Sequence, residues 1–218
     1  MFFSWFYKKP PRATFLALGD SILSDDYPGP QRGAAALVYR NADREFSEFR
    51  GRDLASLGDN GFVNLTRSGF QLPDVEKSLT SLDDNVAVNW LLLSVGGNDL
   101  LAGDCRRPTD FESAYAAFLM SLRERFPHAR LAVVNAYDPT DGTGLVESSR
   151  ARGLPPRLQL LEGLAWLNEV IARHAQKSLV DIYRHFRGHP DWFQRDIEPN
   201  GIGASEVRRL VYGKLVTA

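Results

Sequence analysis

Residues 14–21 read TFLALGDS, an apolar run that ends in a glycine, an aspartate and a serine. A short, continuous run of β-branched and apolar residues predicts a strand that is buried on both faces, as in the centre of a parallel sheet. The polar residues that follow predict the strand's carboxyl end, with Ser21 at the edge where open α/β sheets bind ligands. A serine at this position is also a common helix cap, so the motif alone does not establish a site.

Four further apolar runs along the chain have the composition of strands. They occupy residues 62–65, 90–95, 131–135 and 179–183. The segments between them are long enough for crossover helices, which favours parallel strands over hairpins. The sequence therefore predicts an α/β fold in which a five-stranded parallel sheet carries helices on both faces.

Helical spacing of apolar residues predicts three long helices, which begin near Thr109, Pro156 and Ala204. In the last of them, Val207, Leu210, Val211 and Leu215 recur on one face. Arg208 and Arg209 fall toward the other face, which we expect to be the polar one.

The composition limits the classes of partner. The chain has 218 residues, with 26 Lys and Arg against 27 Asp and Glu, so its formal net charge is −1. A neutral chain offers no field for gathering nucleic acid or an anionic membrane, and no run reaches the length of a membrane-spanning helix. We therefore expect no nucleic-acid partner and no integral membrane segment. The interpretation is a single domain over residues 1–218, of which residues 1–13 are an aromatic and basic N-terminal extension.

The single cysteine, Cys105, bears on cofactors and location. It cannot form an intramolecular disulfide, and no metal site can be built from thiolates. The pair Gly201 and Gly203 lacks the preceding strand and the third glycine of a dinucleotide motif. We accordingly expect no metal and no cofactor, predict a cytoplasmic location, and leave open whether the protein forms a homo-oligomer.

Two more polar motifs follow strands. Residues 64–69 read NLTRSG after the second strand, and residues 96–99 read GGND after the third. The backbone N–H of Gly69 and the side-chain amide of Asn98 could donate hydrogen bonds to an oxyanion beside Ser21. Taken singly, each motif is equally typical of a turn.

Together, the three motifs resemble the SGNH hydrolase superfamily of GDSL esterases and lipases, in both order and spacing. The resemblance extends from about residue 14 to the C-terminus. It implies a flavodoxin-like, three-layer α/β/α fold with a five-stranded parallel sheet. It also implies that Ser21 is the nucleophile, and that the Ser21 and Gly69 N–H groups and the Asn98 side chain form the oxyanion hole.

The chain departs from this family before its last helix. The family pattern there is Asp-x-x-His-Pro, whereas residues 195–200 read RDIEPN. Pro199 sets the register, so Glu198 occupies the position of the histidine base and Arg195 that of the orienting aspartate. A slip of one residue would bring Asp196 nearer the position of the acid, but no slip supplies a histidine.

The group that serves Ser21 as base therefore stays open at this point. Glu198 is one candidate, although a carboxylate has an ordinary pKa about 2 units below that of imidazole. His185 and His189 lie in the segment leading to Glu198 and are alternatives, as is the absence of any base. If Arg195 paired with Glu198 it would lower the pKa of Glu198, whereas burial would raise it.

Two functional hypotheses follow. In the first, the protein is a serine ester hydrolase that acts on small or medium acyl esters with an altered general base. In the second, it is a hydrolase-like protein that binds an acylated small molecule with weak or no catalysis. Retention of the oxyanion elements favours the first, and replacement of both triad partners favours the second.

Overall fold

The computed structural model describes residues 13–103, 108–144, 157–195 and 197–217. The aromatic extension, Cys105 and Asp196 lie outside these residues, so the expectations placed on them stay predictions.

Five parallel strands form the main sheet, as the sequence predicts. They are β1 (Ala13–Gly19), β2 (Asn60–Thr66), β3 (Val88–Ser94), β4 (Arg130–Val134) and β5 (Leu179–Val180), in the spatial order β2-β1-β3-β4-β5. This is the order of flavodoxin-like sheets, which bind ligands where the connections diverge between β1 and β3. A separate antiparallel pair joins β6 (Phe193–Gln194) to β7 (Glu198–Pro199).

Helices cover both faces of the main sheet. They are α1 (Ala34–Tyr39), α2 (Leu72–Ser78), α3 (Gly97–Ala102), α4 (Pro108–Arg125), α5 (Arg157–Ala175), α6 (Ile182–His185) and α7 (Gly201–Thr217). No helix in the described part of the chain combines the length and the apolar character that crossing a membrane requires.

Alternate residues of β1 enter two separate cores, because successive side chains of a strand point to opposite faces. Leu16 and Leu18 pack into the core beneath α2, α4 and α5. Phe15 and Ala17 pack into the core beneath α1 and α7. The protein thus has the predicted three-layer α/β/α architecture, with β1 buried on both faces.

Two predicted boundaries are wrong, and in both cases a side-chain cap explains the difference. The last strand ends at Val180 and not at residue 183, because Asp181 caps α6 by accepting a hydrogen bond from the backbone N–H of Arg184. The final helix begins at Gly201, before the predicted Ala204. There the Asn200 side chain accepts hydrogen bonds from two backbone N–H groups of the first turn.

Arg208 is also not on a polar face, as the helical pattern suggested, but fully buried. Its guanidinium lies 3.6 Å from the centre of the Phe49 ring. It donates hydrogen bonds to the side chains of Asn41 and Ser205, so its polar atoms are satisfied inside the protein. Burial lowers the pKa of Arg208 to about 10, and nearby carboxylates, first that of Glu48, partly oppose this.

Candidate active site

Ser21 stands at a sharp corner directly after β1. The backbone carbonyl of Asp20 accepts hydrogen bonds from the N–H groups of Leu23 and Ser24, both at 3.2 Å, and these close the turn. Within the described residues, neither the N–H nor the hydroxyl of Ser21 donates a hydrogen bond to the protein. The corner therefore presents two unused donors at the carboxyl edge of the sheet.

Glycine at position 19 is required by the close approach of β1 and β3. Its φ is +149°, and a Cβ atom there would lie 2.4 Å from the carbonyl oxygen of Ser94 on the neighbouring strand. A side chain would force the two strands apart at the point where the Ser21 turn begins.

Ser21, Asn98 and Glu198 line one cleft. It contains about 630 Å³ of space, part of which is open to solvent. The remaining walls are mainly apolar. They come from segments after β1, β3 and β4, from α5 and from the turn before β7, and they include Ile22, Leu100, Leu101, Ala136, Tyr137, Leu160, Leu164 and Ile197. Three of the five residues that the sequence predicts for the site are thus brought together.

Gly69 stands beside this group but does not line the cleft. Its φ of +83° belongs to the left-handed region that favours glycine. The next residue, Phe70, accepts a hydrogen bond of 3.0 Å from Nδ2 of Asn98, which ties the two predicted oxyanion elements together. In the part of the chain that the structure describes, the Gly69 N–H has no acceptor.

Glu198 is held in the cleft by the small antiparallel pair. It lies on β7 opposite Gln194 on β6, and 7% of its surface is exposed. The preceding carbonyl, that of Ile197, accepts a hydrogen bond of 2.8 Å from the hydroxyl of Tyr137. Two independent contacts therefore fix the segment that carries Glu198.

Arg195, in contrast, points elsewhere. It occupies the turn between β6 and β7 with φ of +49°, is exposed, and places its guanidinium 5.8 Å from the centre of the Tyr27 ring. The ion pairs among the described residues do not include one between Arg195 and Glu198. Arg195 therefore does not form the ion pair with Glu198 that its position in the sequence allowed.

All four histidines of the chain are described, and none lines the cleft. His185 lies 2.7 Å from the carboxylate of Glu206, and His189 stacks on Trp192 with 3.8 Å between ring centres. His174 contacts Glu112, and His128 is exposed at a turn. The two histidines considered as alternative bases are thus engaged away from Ser21.

Asp20 is a further acidic residue of the cleft that the sequence analysis did not assign. Its side chain is 2% exposed, and Oδ1 accepts hydrogen bonds from the Ile22 N–H at 3.1 Å and the Ser94 hydroxyl at 3.2 Å. Burial raises the pKa of Asp20 to about 7; the hydrogen bonds oppose this, and the charges of Glu198 and Asp99 reinforce it. The position of Asp20 beside Ser21, directly after a buried strand, is the sequence signal that could have identified it.

Tyr137 is another cleft residue that the sequence analysis did not assign. Its position three residues after the carboxyl end of β4 is the signal that could have identified it. Its ring stacks on Phe186 and its side chain lines the cleft. Burial raises the pKa of Tyr137 well above its ordinary value, and the negative charges of Glu198 and Asp20 add to the effect. Tyr137 is therefore a neutral phenol, and among the described residues it holds the Ile197 carbonyl and lines the cleft.

Asp25 and Asp26 follow Ser21 closely in the same loop, but neither lines the cleft. Asp25 accepts a hydrogen bond of 2.7 Å from the Gly33 N–H, which closes its own loop. Asp26 instead bridges two loops: its Oδ2 accepts from the backbone N–H of Ser68 at 2.7 Å and from the hydroxyl of Ser24 at 2.9 Å. The loop that carries Ser21 is thereby joined to the loop that carries Gly69.

No group of three or more His, Cys, Asp or Glu side chains within residues 13–103, 108–144, 157–195 and 197–217 is arranged to hold a metal ion.

The sheet order and the serine at its switch point define a flavodoxin-like α/β protein with a candidate site of the serine-hydrolase class. The chain belongs to the GDSL-like lipase/acylhydrolase family, whose model matches residues 17–205. No curated protein matches the chain.

Several solved structures share the fold. A candidate GDSL-like lipase from Parabacteroides merdae has 12% sequence identity and a TM-score of 0.65, over 94% of this chain and 96% of that one. Phospholipase A1 from Streptomyces albidoflavus has 17% identity and a TM-score of 0.62, over 92% and 98% of the two chains. The esterase EstA from a Pseudoalteromonas species has 17% identity and a TM-score of 0.60, over 94% and 97%.

Proposed function

We propose that the protein hydrolyses small or medium acyl esters with Ser21 as the nucleophile. The observation that carries the proposal is that Ser21, Asn98 and Glu198 line one cleft at the switch point of the sheet. Family membership adds to it, because the family is one of lipases and acylhydrolases.

The oxyanion hole of the proposed reaction is formed by the N–H groups of Ser21 and Gly69 and by the side chain of Asn98. One hydrogen of the Asn98 amide is used on the Phe70 carbonyl, which orients the group and leaves the second hydrogen available. Donors held in place before the reaction stabilise the developing negative charge without reorganising.

Glu198 is the proposed proton acceptor. The Ser21 Oγ–H bond breaks and the proton passes to Glu198 as Oγ bonds to the acyl carbon. The ester C–O bond then breaks, and the same proton passes to the departing alkoxide. Water attacks the acyl-enzyme in the same way and regenerates Ser21.

The apolar walls support an acyl group as the part of the substrate that enters the cleft. Leu100, Leu101, Leu160 and Leu164 line one side, and a volume of about 630 Å³, part of it open, suits a small or medium chain.

Arg195 occupies the sequence position of the family's orienting aspartate, but we propose a different role for it. Because its guanidinium lies over the Tyr27 ring and Tyr27 contacts the Ser68 hydroxyl at 3.2 Å, we assign Arg195 to the rim of the site beside Gly69. The cytoplasmic location likewise stays a prediction from the single cysteine.

A second candidate function is favoured by one observation, the location of all four histidines outside the cleft. A site without imidazole could bind an acylated small molecule and turn it over slowly or not at all. The two functions make different predictions for Ser21.

The test compares wild type with Ser21→Ala on activated aryl esters of increasing acyl length. We expect slow turnover by the wild type and loss of at least about 10³-fold in the variant, because Ser21 is the one serine, threonine or cysteine among the described residues that line the cleft. Ser81→Ala is the matched control, since Ser81 is exposed before β3, at the opposite edge of the sheet.

A phosphonate ester gives an independent readout of the nucleophile, because it forms a stable adduct with an activated serine. Mass spectrometry should locate the adduct on Ser21. Turnover that survives Ser21→Ala would overturn the esterase proposal, and ester binding without turnover or adduct would establish the binding function.

A further inference from the structure

The cleft beside Ser21 is acidic, and no cation lines its described part. Asp20, Asp138 and Glu198 contribute carboxyl groups, whereas none of the lining residues is Lys, Arg or His. Asp138 differs from the other two because its carboxylate is capped by the backbone N–H groups of Thr140 and Gly142 and by the Thr140 hydroxyl. Asp20 and Glu198 are therefore the two carboxyl groups of the cleft that could affect each other's proton affinity.

These two carboxyl groups come from different segments, the turn after β1 and strand β7, and both are nearly inaccessible, with exposed fractions of 2% and 7%. Oδ1 of Asp20 accepts two hydrogen bonds, while Oδ2 accepts none from the described residues. Oδ2 lies 3.9 Å from the point that a Cβ of Gly97 would occupy, and Gly97 lines the same cleft. One oxygen of Asp20 is thus held by the protein and the other is open to the site.

Two buried like charges that line one cleft cannot both form as easily as each would alone, so their titrations are coupled. Among the described residues, Asp20 interacts electrostatically with Glu198 on β7, Asp99 on α3 and the neutral phenol of Tyr137 after β4. All three of these groups are acidic, so none of them offsets the mutual repulsion. The second proton of such a pair is consequently held more tightly than the proton of an isolated carboxyl.

We propose that Asp20 and Glu198 act as one coupled carboxyl pair that replaces the missing imidazole as proton acceptor for Ser21. The inference rests on the proposed esterase function. Asp20 is a positioning residue in this scheme, because it acts on the reaction through the charge that it places near Glu198. The strong base is the doubly ionised pair, which takes the Ser21 proton on attack and returns it to the leaving alkoxide.

The coupling explains how a carboxylate could work where the family has histidine. A lone Glu has an ordinary pKa near 4.3 and is a weak base at neutral pH, whereas imidazole has a pKa near 6.5. Burial, and to a smaller extent the charges of Glu198 and Asp99, raise the pKa of Asp20 to about 7, so the pair gains its second charge in the range where imidazole becomes neutral.

The kinetic test is the pH dependence of kcat/KM for wild type, Asp20→Asn and Glu76→Gln. The wild type should gain activity with an apparent pKa near 7. In Asp20→Asn this pKa should fall by at least about one unit, and the rate at pH 8 should fall about 10-fold or more. Glu76→Gln is the matched control, because it removes one negative charge from the exposed face of α2.

A second measurement does not depend on turnover or on the folding of Asp20→Asn. Carbon NMR of protein labelled at the aspartate carboxyl carbons follows the titration of Asp20 directly. Glu198→Gln should lower the pKa of Asp20, and Glu76→Gln should leave it unchanged.

The results separate this inference from the proposed function. Coupled titration in a protein without esterase activity would overturn the esterase function and, with it, the role of the pair as proton acceptor, although the two carboxyl groups would still be coupled. Ser21-dependent hydrolysis whose pH profile is the same in wild type and Asp20→Asn would overturn the pair and leave the function standing. An Asp20 titration that Glu198→Gln does not change would also overturn the pair.

Discussion

Asn98 performs two tasks with one side chain. Its amide donates to the carbonyl of Phe70 and still reaches the cleft that Ser21 lines. The first contact orients the amide, so Asn98 links the loop of Gly69 to the cleft. A side chain without both donors could not replace it.

Asn98→Ala should therefore lower kcat by about 10²-fold, the usual effect of removing one oxyanion donor, and change KM much less. Steady-state kinetics on a short-chain aryl ester measure both constants. An unchanged kcat would return Asn98 to the role of a turn residue at the start of α3. Circular dichroism and thermal unfolding of the variant check that the fold is retained.

Arg195 and Arg208 show how far a residue's role depends on its neighbours. The sequence predicts a polar environment for both. Arg195 is exposed over the Tyr27 ring, whereas Arg208 is fully buried over the Phe49 ring. The rings that receive them come from loops more than a hundred residues away in the chain. Local sequence carries no signal for such partners.

The loops after the strands are joined into one rim. Asp26 connects the loop after β1 to the backbone of Ser68 after β2, and Asn98 after β3 connects to Phe70. The loop with Gly69 is thus held from both sides. The direction of the Gly69 N–H group therefore depends on the hydrogen bonds that the neighbouring residues Ser68 and Phe70 form.

Asp26→Ala should consequently lower kcat about 10-fold with a smaller effect on KM, because the Gly69 donor loses one of its two supports. Asp26→Asn keeps an oxygen acceptor and should recover most of the loss. Asp83→Ala is the matched control: Asp83 also accepts a backbone N–H bond, but it precedes β3 at the opposite edge. Equal kinetics for Asp26→Ala and wild type would show that the bridge does not position Gly69.

The secondary structure was predicted best where local signals agree. The five strands and the helices α4 and α5 follow from periodicity, since each buries an apolar face of regular spacing. The ends of β5 and α7 were misplaced because Asp181 and Asn200 cap the helices next to them. A cap is one polar side chain and does not alter the apolar pattern that the prediction uses.

The buried carboxyl of Asp20 makes the stability of the whole molecule depend on pH. Its pKa is about 7 in the folded protein against 3.8 as the ordinary value, so the folded state holds the proton more tightly. The contribution of Asp20 to the free energy of unfolding is fully present below about pH 3.8 and is lost as the pH rises through about 7. At about 1.4 kcal/mol per pKa unit, the loss amounts to roughly 4 kcal/mol at most.

Asp20→Asn should flatten this dependence, because the amide stays neutral at every pH. Urea unfolding of wild type and variant between about pH 4 and pH 8 measures it, and the variant should gain stability relative to wild type as the pH rises. Glu76→Gln, which removes an exposed charge, should follow the wild type. Parallel curves for wild type and Asp20→Asn would contradict the raised pKa.

The linear sequence was sufficient for the sheet, for the order of the motifs and for the cleft's position. Ser21 and Asn98 follow the carboxyl ends of the adjacent strands β1 and β3, and the carboxyl ends of parallel strands lie at one edge of the sheet. The sheet, the order of the motifs and the position of the cleft depend on local periodicity and chain order. They can therefore be derived from residues 14–21 and from the other apolar runs with the polar motifs that follow them. The roles of Gly69 and Asn98 as oxyanion donors, which the resemblance to the SGNH hydrolases implies, stay predictions.

The surroundings of Glu198 required the tertiary structure. From the sequence, pairing with Arg195 would lower the pKa of Glu198 and burial would raise it, and the choice stayed open. His185 and His189 also stayed open as alternative bases for Ser21. Folding turns Arg195 and both histidines away and brings Asp20 close enough for its pKa to respond to the charge of Glu198. Charge and burial depend on distances between residues far apart in the chain, and only the packed molecule has those distances.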